Sequence, residues 1–283
     1  MQRAIKKYWP IFVLPTLAAF VIGFIIPFIE GVYLAFCQFT TVRDATLIGL
    51  SNFVRAIGDN TFTHAFWYNC AFVVVTTIAI NVGGLLVAVI LTKAIRGTNA
   101  FRTVFFMPNL IGGIVLGYIW QILLNCVLSL LEKPLLALDA TAGFWGLVIL
   151  MCWQQIGYMM IIYVAGLQSI PDTLVEAAEI DGATRWQKIL HVSLPCILPT
   201  IVTMLILRIG QLMTIGFEKA LLMQNDMNIG TSEIISTLVY KNGIQNGDYS
   251  YATAVGLMKS AVNLVLIVAA NTFCRRTLNE SLW

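Results

Sequence analysis

The sequence predicts an all-α, polytopic membrane protein with six transmembrane helices and a short cytoplasmic helix between spans four and five. Three observations predict it. Of 283 residues, 59% are hydrophobic and only 11% are charged, against about a quarter charged in an ordinary soluble domain. The mean hydropathy is +0.84. Six separate stretches also reach about 20 mostly apolar residues, the length a helix needs to cross about 30 Å of hydrocarbon. A soluble core could not bury so much apolar surface, and a disordered chain would be far more polar.

The stretches run over 11–37, 66–92, 101–125, 144–167, 195–217 and 251–273, and form one membrane domain over 1–283. Pro15 and Pro27 should kink the first, which neighbouring helices tolerate. Arg3, Lys6 and Lys7 ahead of an apolar run resemble a signal peptide, and Leu34-Ala35-Phe36-Cys37 resembles a lipoprotein box. The run is too long for a signal core and Phe36 too bulky beside the cysteine, so the stretch reads as a retained span.

Six spans place both termini on one side. Arg3, Lys6, Lys7, Lys93, Arg96, Arg102, Arg185, Lys188, Arg275 and Arg276 fall on that side, and Arg43, Arg55, Lys133, Lys219 and Lys241 on the other. The excess of basic residues predicts cytoplasmic termini in a cell membrane. The net charge of +3 then follows from topology and implies no nucleic acid.

Six scattered cysteines form no C-x-x-C pair and read as small buried hydrophobes. The sequence has no G-x-x-x-x-G-K-[ST] phosphate loop, no G-x-S-x-G elbow and no H-E-x-x-H. His64 and His191 fall on opposite sides of this topology, and no series of intramembrane carboxylates suggests a proton relay. The expectation is a conduit with no catalytic residue, metal or cofactor of its own, driven by energy supplied elsewhere.

The segment 170–190 is the most informative. Pro171 suits the start of a helix, and Asp172 favours the positive end of its dipole. An amphipathic helix should run to Ile180, and Asp181-Gly182 should turn the chain. A second short helix from Ala183 would share a face among Ala183, Trp186 and Leu190. Small residues at Ala177, Ala178 and Ala183 let another surface approach closely, while Glu176, Asp181 and Arg185 can set its register. An interfacial helix lying on headgroups is the plainer reading. It gains little here, because the segment is about as acidic as it is basic.

Glu176-Ala177-Ala178-x-x-Asp181-Gly182-Ala183, followed by Val192-x-Leu194-Pro195 and Pro199, resembles the EAA signature of permease subunits of ABC importers. Val192 stands where that family more often has Ile. Gly49-Leu50-x-Asn52-Phe53, Phe101-Arg102-x-x-Phe105-Phe106-x-Pro108 and Asp248-Tyr249-x-Tyr251-Ala252-x-Ala254 are similar to stretches of the carbohydrate-type members. The end at Ser281-Leu282-Trp283 is similar to their oligosaccharide or polysaccharide branch. The resemblance implies that Glu176, Ala177, Ala178, Asp181, Gly182, Ala183, Arg185 and Trp186 couple the chain to a cytoplasmic ATPase dimer, which holds the ATP and magnesium. It further implies a second permease subunit in a heterodimer, an extracytoplasmic solute-binding protein and a sugar substrate.

Polar residues within spans are functional candidates. Gln154 and Tyr158 share a face at i, i+4, and Arg208, Gln211 and Thr214 recur every third residue. They either line a sugar path or hold helices and subunits together. Arg208 suits either an acidic sugar or a structural ion pair. Trp120, Gln121 and Asn263 are weaker candidates, and Glu30 and Lys259 read as structural. Two other readings stay open: an ABC permease for a peptide or an acidic glycan, and an ion-coupled carrier, which would need inverted repeats and broken helices. The stretches 52–57 and 234–240 are expected to form short helices beyond the membrane.

Overall fold

The computed structural model describes residues 2–92, 97–136, 138–211, 216–224, 233–278 and 282. Among the described residues six helices are long and apolar enough to cross a membrane: Val13–Ala35, Asn60–Leu91, Gly113–Leu130, Thr141–Gln168, Arg185–Gly210 and Tyr249–Leu278. The expected all-α, six-helix class is therefore what the chain adopts. Two compact units divide it, Met1–Phe62 with Leu238–Ser260, and Thr63–Thr237 with Ala261–Trp283.

In the first unit, α1 (Gln2–Phe20) and α2 (Ile26–Ala35) are joined by a π-turn at Val21–Ile25. Pro27 sits in the first turn of α2; it cannot donate to the helical ladder, and the wider turn just before it absorbs the break. Along this helix Phe20, Phe24 and Phe28 stack at centroid distances of 5.2 and 6.1 Å, an exposed aromatic stripe that a bilayer solvates.

A polar cap follows. Strand β1 (Cys37–Gln38) pairs antiparallel with β2 (Thr46–Leu47). Between them Asp44 accepts hydrogen bonds from the Thr40 hydroxyl and the Thr40 and Thr41 amides. The Thr40 hydroxyl above all, with those amides, pulls the Asp44 carboxyl down to about 2. Helix α3 (Ser51–Gly58) is tied to the end of α2 by Asn52, which donates to the Ala35 and Cys37 carbonyls at 3.2 and 2.9 Å. Arg55 pairs with Asp248 at 2.7 Å. The Ser250 hydroxyl accepts from the Phe39 amide and donates to its carbonyl, and the Tyr251 hydroxyl donates to Asp59 at 2.6 Å.

The second unit centres on α7 (Ala140–Gln168), the most enclosed of the six. Small residues admit its neighbours. Gly157 lies so close to α5 (Thr98–Phe106) that a Cβ there would fall 1.8 Å from the Phe105 carbonyl oxygen. Gly84 of α4 (Asn60–Leu91) lies against Met159 in the same way. Ile80, Ala88, Leu91, Met159, Met160, Tyr163 and Val164 form the core at this contact. The Tyr163 hydroxyl donates to Asn81 at 2.6 Å, so the polar group is satisfied. Arg102 donates to the Leu91 carbonyl at 3.0 Å, closing the end of α4.

The stretch 101–125 divides. Helix α5 ends at Phe106, a 3-10 turn covers Met107–Leu110, and α6 begins at Gly113 and runs to Leu130. Pro108 cannot donate in the ladder and Ile111 is extended, so the helix restarts at the glycines beyond. Helices α8 (Asp172–Ile180) and α9 (Arg185–Lys188) lie before α10 (Leu194–Gln211), which is entered through a π-turn at Ile189–Ser193. Helix α11 (Phe217–Met223) packs on α6. Helices α12 (Ile235–Tyr240) and α13 (Tyr249–Leu278) complete the chain, and α3 and α12 are the two short helices expected at 52–57 and 234–240.

Candidate functional site: a capped two-helix knob and a polar seam

The segment after α7 is built by local hydrogen bonding. Pro171 is the N-cap of α8, with Asp172 in the first turn. At the other end Gly182 takes φ of +76°, a region that costs other residues about 1–2 kcal/mol. The Gly182 amide bonds to the Glu179 carbonyl at 3.0 Å and the Ala183 amide to the Ala178 carbonyl at 2.9 Å. This is the Schellman closure that ends helices on a glycine. Two residues later Thr184 starts α9 with a capping box: the Gln187 side chain accepts from the Thr184 amide at 2.7 Å, and the Thr184 hydroxyl accepts from the Gln187 amide. The Lys188 ammonium pairs with Glu179 across the turn. That contact holds the Glu179 carboxyl below its ordinary range. Stop, turn and restart are each fixed, so α8 and α9 form a rigid knob.

The knob displays the residues singled out in the sequence. Glu176, Ala177, Asp181, Gly182, Arg185 and Trp186 are exposed, and Ala178 and Ala183 are half-buried. Ile180 is 87% exposed and Trp186 68%. Glu176, Asp181 and Arg185 make no ion pair among the described residues; the internal tie is Glu179 with Lys188. Ala183 lies in the link ahead of α9, so the face shared by Ala183, Trp186 and Leu190 is not a helical stripe.

The polar residues of the spans separate. Gln154 is 5% exposed and donates to the Ile111 carbonyl at 3.3 Å, joining α7 to the segment ahead of α6; its Oε1 has no partner among the described residues. Tyr158 remains 40% exposed. Arg208 is buried and donates to Gln155 Oε1 at 3.0 Å. Tyr158, Tyr163 and Cys152 lie within electrostatic reach of its guanidinium. Gln155, which flanks the Gln154 and Tyr158 pair in the sequence, is thus the partner of Arg208. Gln211 is the last residue of α10. Thr214 lies outside the described residues. Asn263 donates to the Gly210 carbonyl, a helix-to-helix tie.

Among the described residues the chain is thus a six-helix membrane scaffold with an exposed two-helix knob on one loop. The chain belongs to the family described as binding-protein-dependent transport system inner membrane component, matched over residues 80–279. It is 34% identical to a probable starch degradation products transport system permease protein of Thermoanaerobacterium thermosulfurigenes, over 92% of this chain and 89% of that one. It is 28% identical to a polygalacturonan/rhamnogalacturonan transport system permease protein of Bacillus subtilis, over 98% and 91%. A chain in the crystal structure of a bacterial alginate ABC transporter, in complex with an alginate pentasaccharide-bound periplasmic protein, superposes with a TM-score of 0.87. That match has 26% identity and covers 100% of this chain and 99% of that one.

Proposed function

We propose that this chain is one permease subunit of an ABC importer that moves an oligosaccharide, with ATP hydrolysed on a separate cytoplasmic subunit. The observation that carries the reading is the knob: a Schellman-closed helix, a capping box and an ion pair hold exposed Ile180 and Trp186 on a rigid base. Such a piece transmits force without bending. In this reading both termini and the knob are cytoplasmic, and the knob seats in a cleft of the ATPase through Glu176, Ala177, Ala178, Asp181, Gly182, Ala183, Arg185 and Trp186. Closure of the ATPase dimer around ATP and magnesium draws two knobs together, this one and that of a second, different permease. The pore then opens outward to receive sugar from an extracytoplasmic binding protein, and hydrolysis resets it. By name, both permease relatives and the alginate transporter are glycan systems, which supports the sugar assignment.

The path is assigned to Gln154, Tyr158, Arg208, Gln211 and Thr214, with Gln155 added from the geometry. Amides bond sugar hydroxyls, and a tyrosine ring faces the C–H-rich side of a pyranose. A cysteine at Ile180 in the assembled complex should cross-link to the ATPase subunit; cross-links confined to lipid or to the second permease would overturn the coupling assignment. A photocrosslinker at Gln211 should label bound oligosaccharide, and labelling of the partner permease alone would remove that residue from the path.

A further inference from the structure

We propose that Arg208 makes this chain selective for oligosaccharides bearing carboxylates, the uronic-acid class, by serving as the buried counter-charge for one sugar carboxylate. The inference rests on the path assigned above and goes beyond it to the charge of the substrate.

Arg208 lies 14 residues after Leu194, about 21 Å along α10 at 1.5 Å per residue. It lies three residues before the end of α10 and is 6% exposed. A guanidinium does not deprotonate in proteins, so its charge must be met where it stands. Among the described residues no carboxylate pairs with it. Its bond goes to the neutral amide of Gln155 at 3.0 Å, and the phenols of Tyr158 and Tyr163 and the thiol of Cys152 lie within electrostatic reach. The amide orients the guanidinium without neutralising it. A buried charge held in place but unpaired is an incomplete ion pair. The fork of an arginine, with several N–H donors left after the Gln155 bond, matches a carboxylate in two parallel hydrogen bonds.

The neighbours suit a sugar that carries such a group. Tyr158 is 40% exposed, and the Gln155 amide, whose oxygen accepts from the arginine, carries N–H donors that suit a hydroxyl. A neutral sugar would be served by the amide and ring alone. The charge is the part of the cluster that only an anion uses.

The test uses the full complex of both permeases, the ATPase and the binding protein in proteoliposomes with internal ATP. Two probes differ only in charge: trigalacturonate and its fully methyl-esterified form. The wild type should take up the acid at least ten-fold faster than the ester. Arg208→Gln should lower that acid-to-ester ratio at least ten-fold, and Arg208→Lys, which keeps the charge but not the two-pronged geometry, should fall between the two. An Arg208→Gln complex that assembles but leaves the ratio unchanged while both rates fall would overturn the proposal and assign the arginine to the partner subunit or to packing. Wild-type preference for the ester would overturn it as well. Uptake of neither probe, nor of maltotriose, would overturn the sugar reading beneath it, and that result is distinct from the others.

Discussion

In the proposed cycle Gly182 concentrates the coupling role in one residue. No atom lies within 4 Å of where its Cβ would be, and φ is +76°, so a substitution there is resisted by the backbone and not by packing. Gly182→Ala should cost about 1–2 kcal/mol of local stability and slow transport, read by uptake. Gly182→Asp or Gly182→Arg adds a bulky charge to the exposed docking face and should abolish transport, while membrane insertion and assembly, read by co-purification, persist. Normal uptake by the charged variants would contradict the coupling role. This residue was legible because Asp-Gly after a helical stretch has few conformational meanings. Gln155 was not: adjacent residues on a helix point about 100° apart, and only the position of α10 decides which of Gln154 and Gln155 meets Arg208. Gln154 turns instead to the Ile111 carbonyl.

At the scale of elements, close approach and local closure do most of the holding. Gly157→Leu would drive a side chain into the Phe105 carbonyl, and overpacking of this kind costs about 1–3 kcal/mol or more. The variant should therefore lose melting temperature in detergent by thermal-shift assay, and Gly157→Ala should lose less. The knob has its own pH dependence. Glu179 titrates below the ordinary 4.5 because Lys188 bonds and pairs with it. Its contribution is whole above the ordinary value and is lost as pH falls through the lowered one. Amide exchange across α8 and α9, corrected for intrinsic pH effects, should quicken on acidification. Glu179→Gln should remove that dependence. The long helices were legible from apolar length alone, and Pro27 announced a break in the first, yet the exact place and kind of the breaks were not. The division of 101–125 at Pro108 depends on where the chain can re-enter a helix. The π-turns at Val21–Ile25 and Ile189–Ser193 add one residue to a turn without altering composition.

At the scale of the whole molecule, the sparse charges define the protein more than its abundant apolar residues do. Seventeen basic residues among 283 predict a topology, and that topology predicts that tags fused to either terminus are protected from protease added outside intact cells. External cleavage of an N-terminal tag would reverse the orientation and move the knob away from any cytoplasmic ATPase. In the proposed cycle the knob brings in energy from ATP hydrolysed by another subunit. Oligosaccharide uptake by the reconstituted complex with its binding protein probes that step directly, with ATP trapped inside or left out, and with an uncoupler added. Uptake should require internal ATP and survive the uncoupler; uptake without ATP that collapses with the uncoupler would contradict an ATP-driven knob.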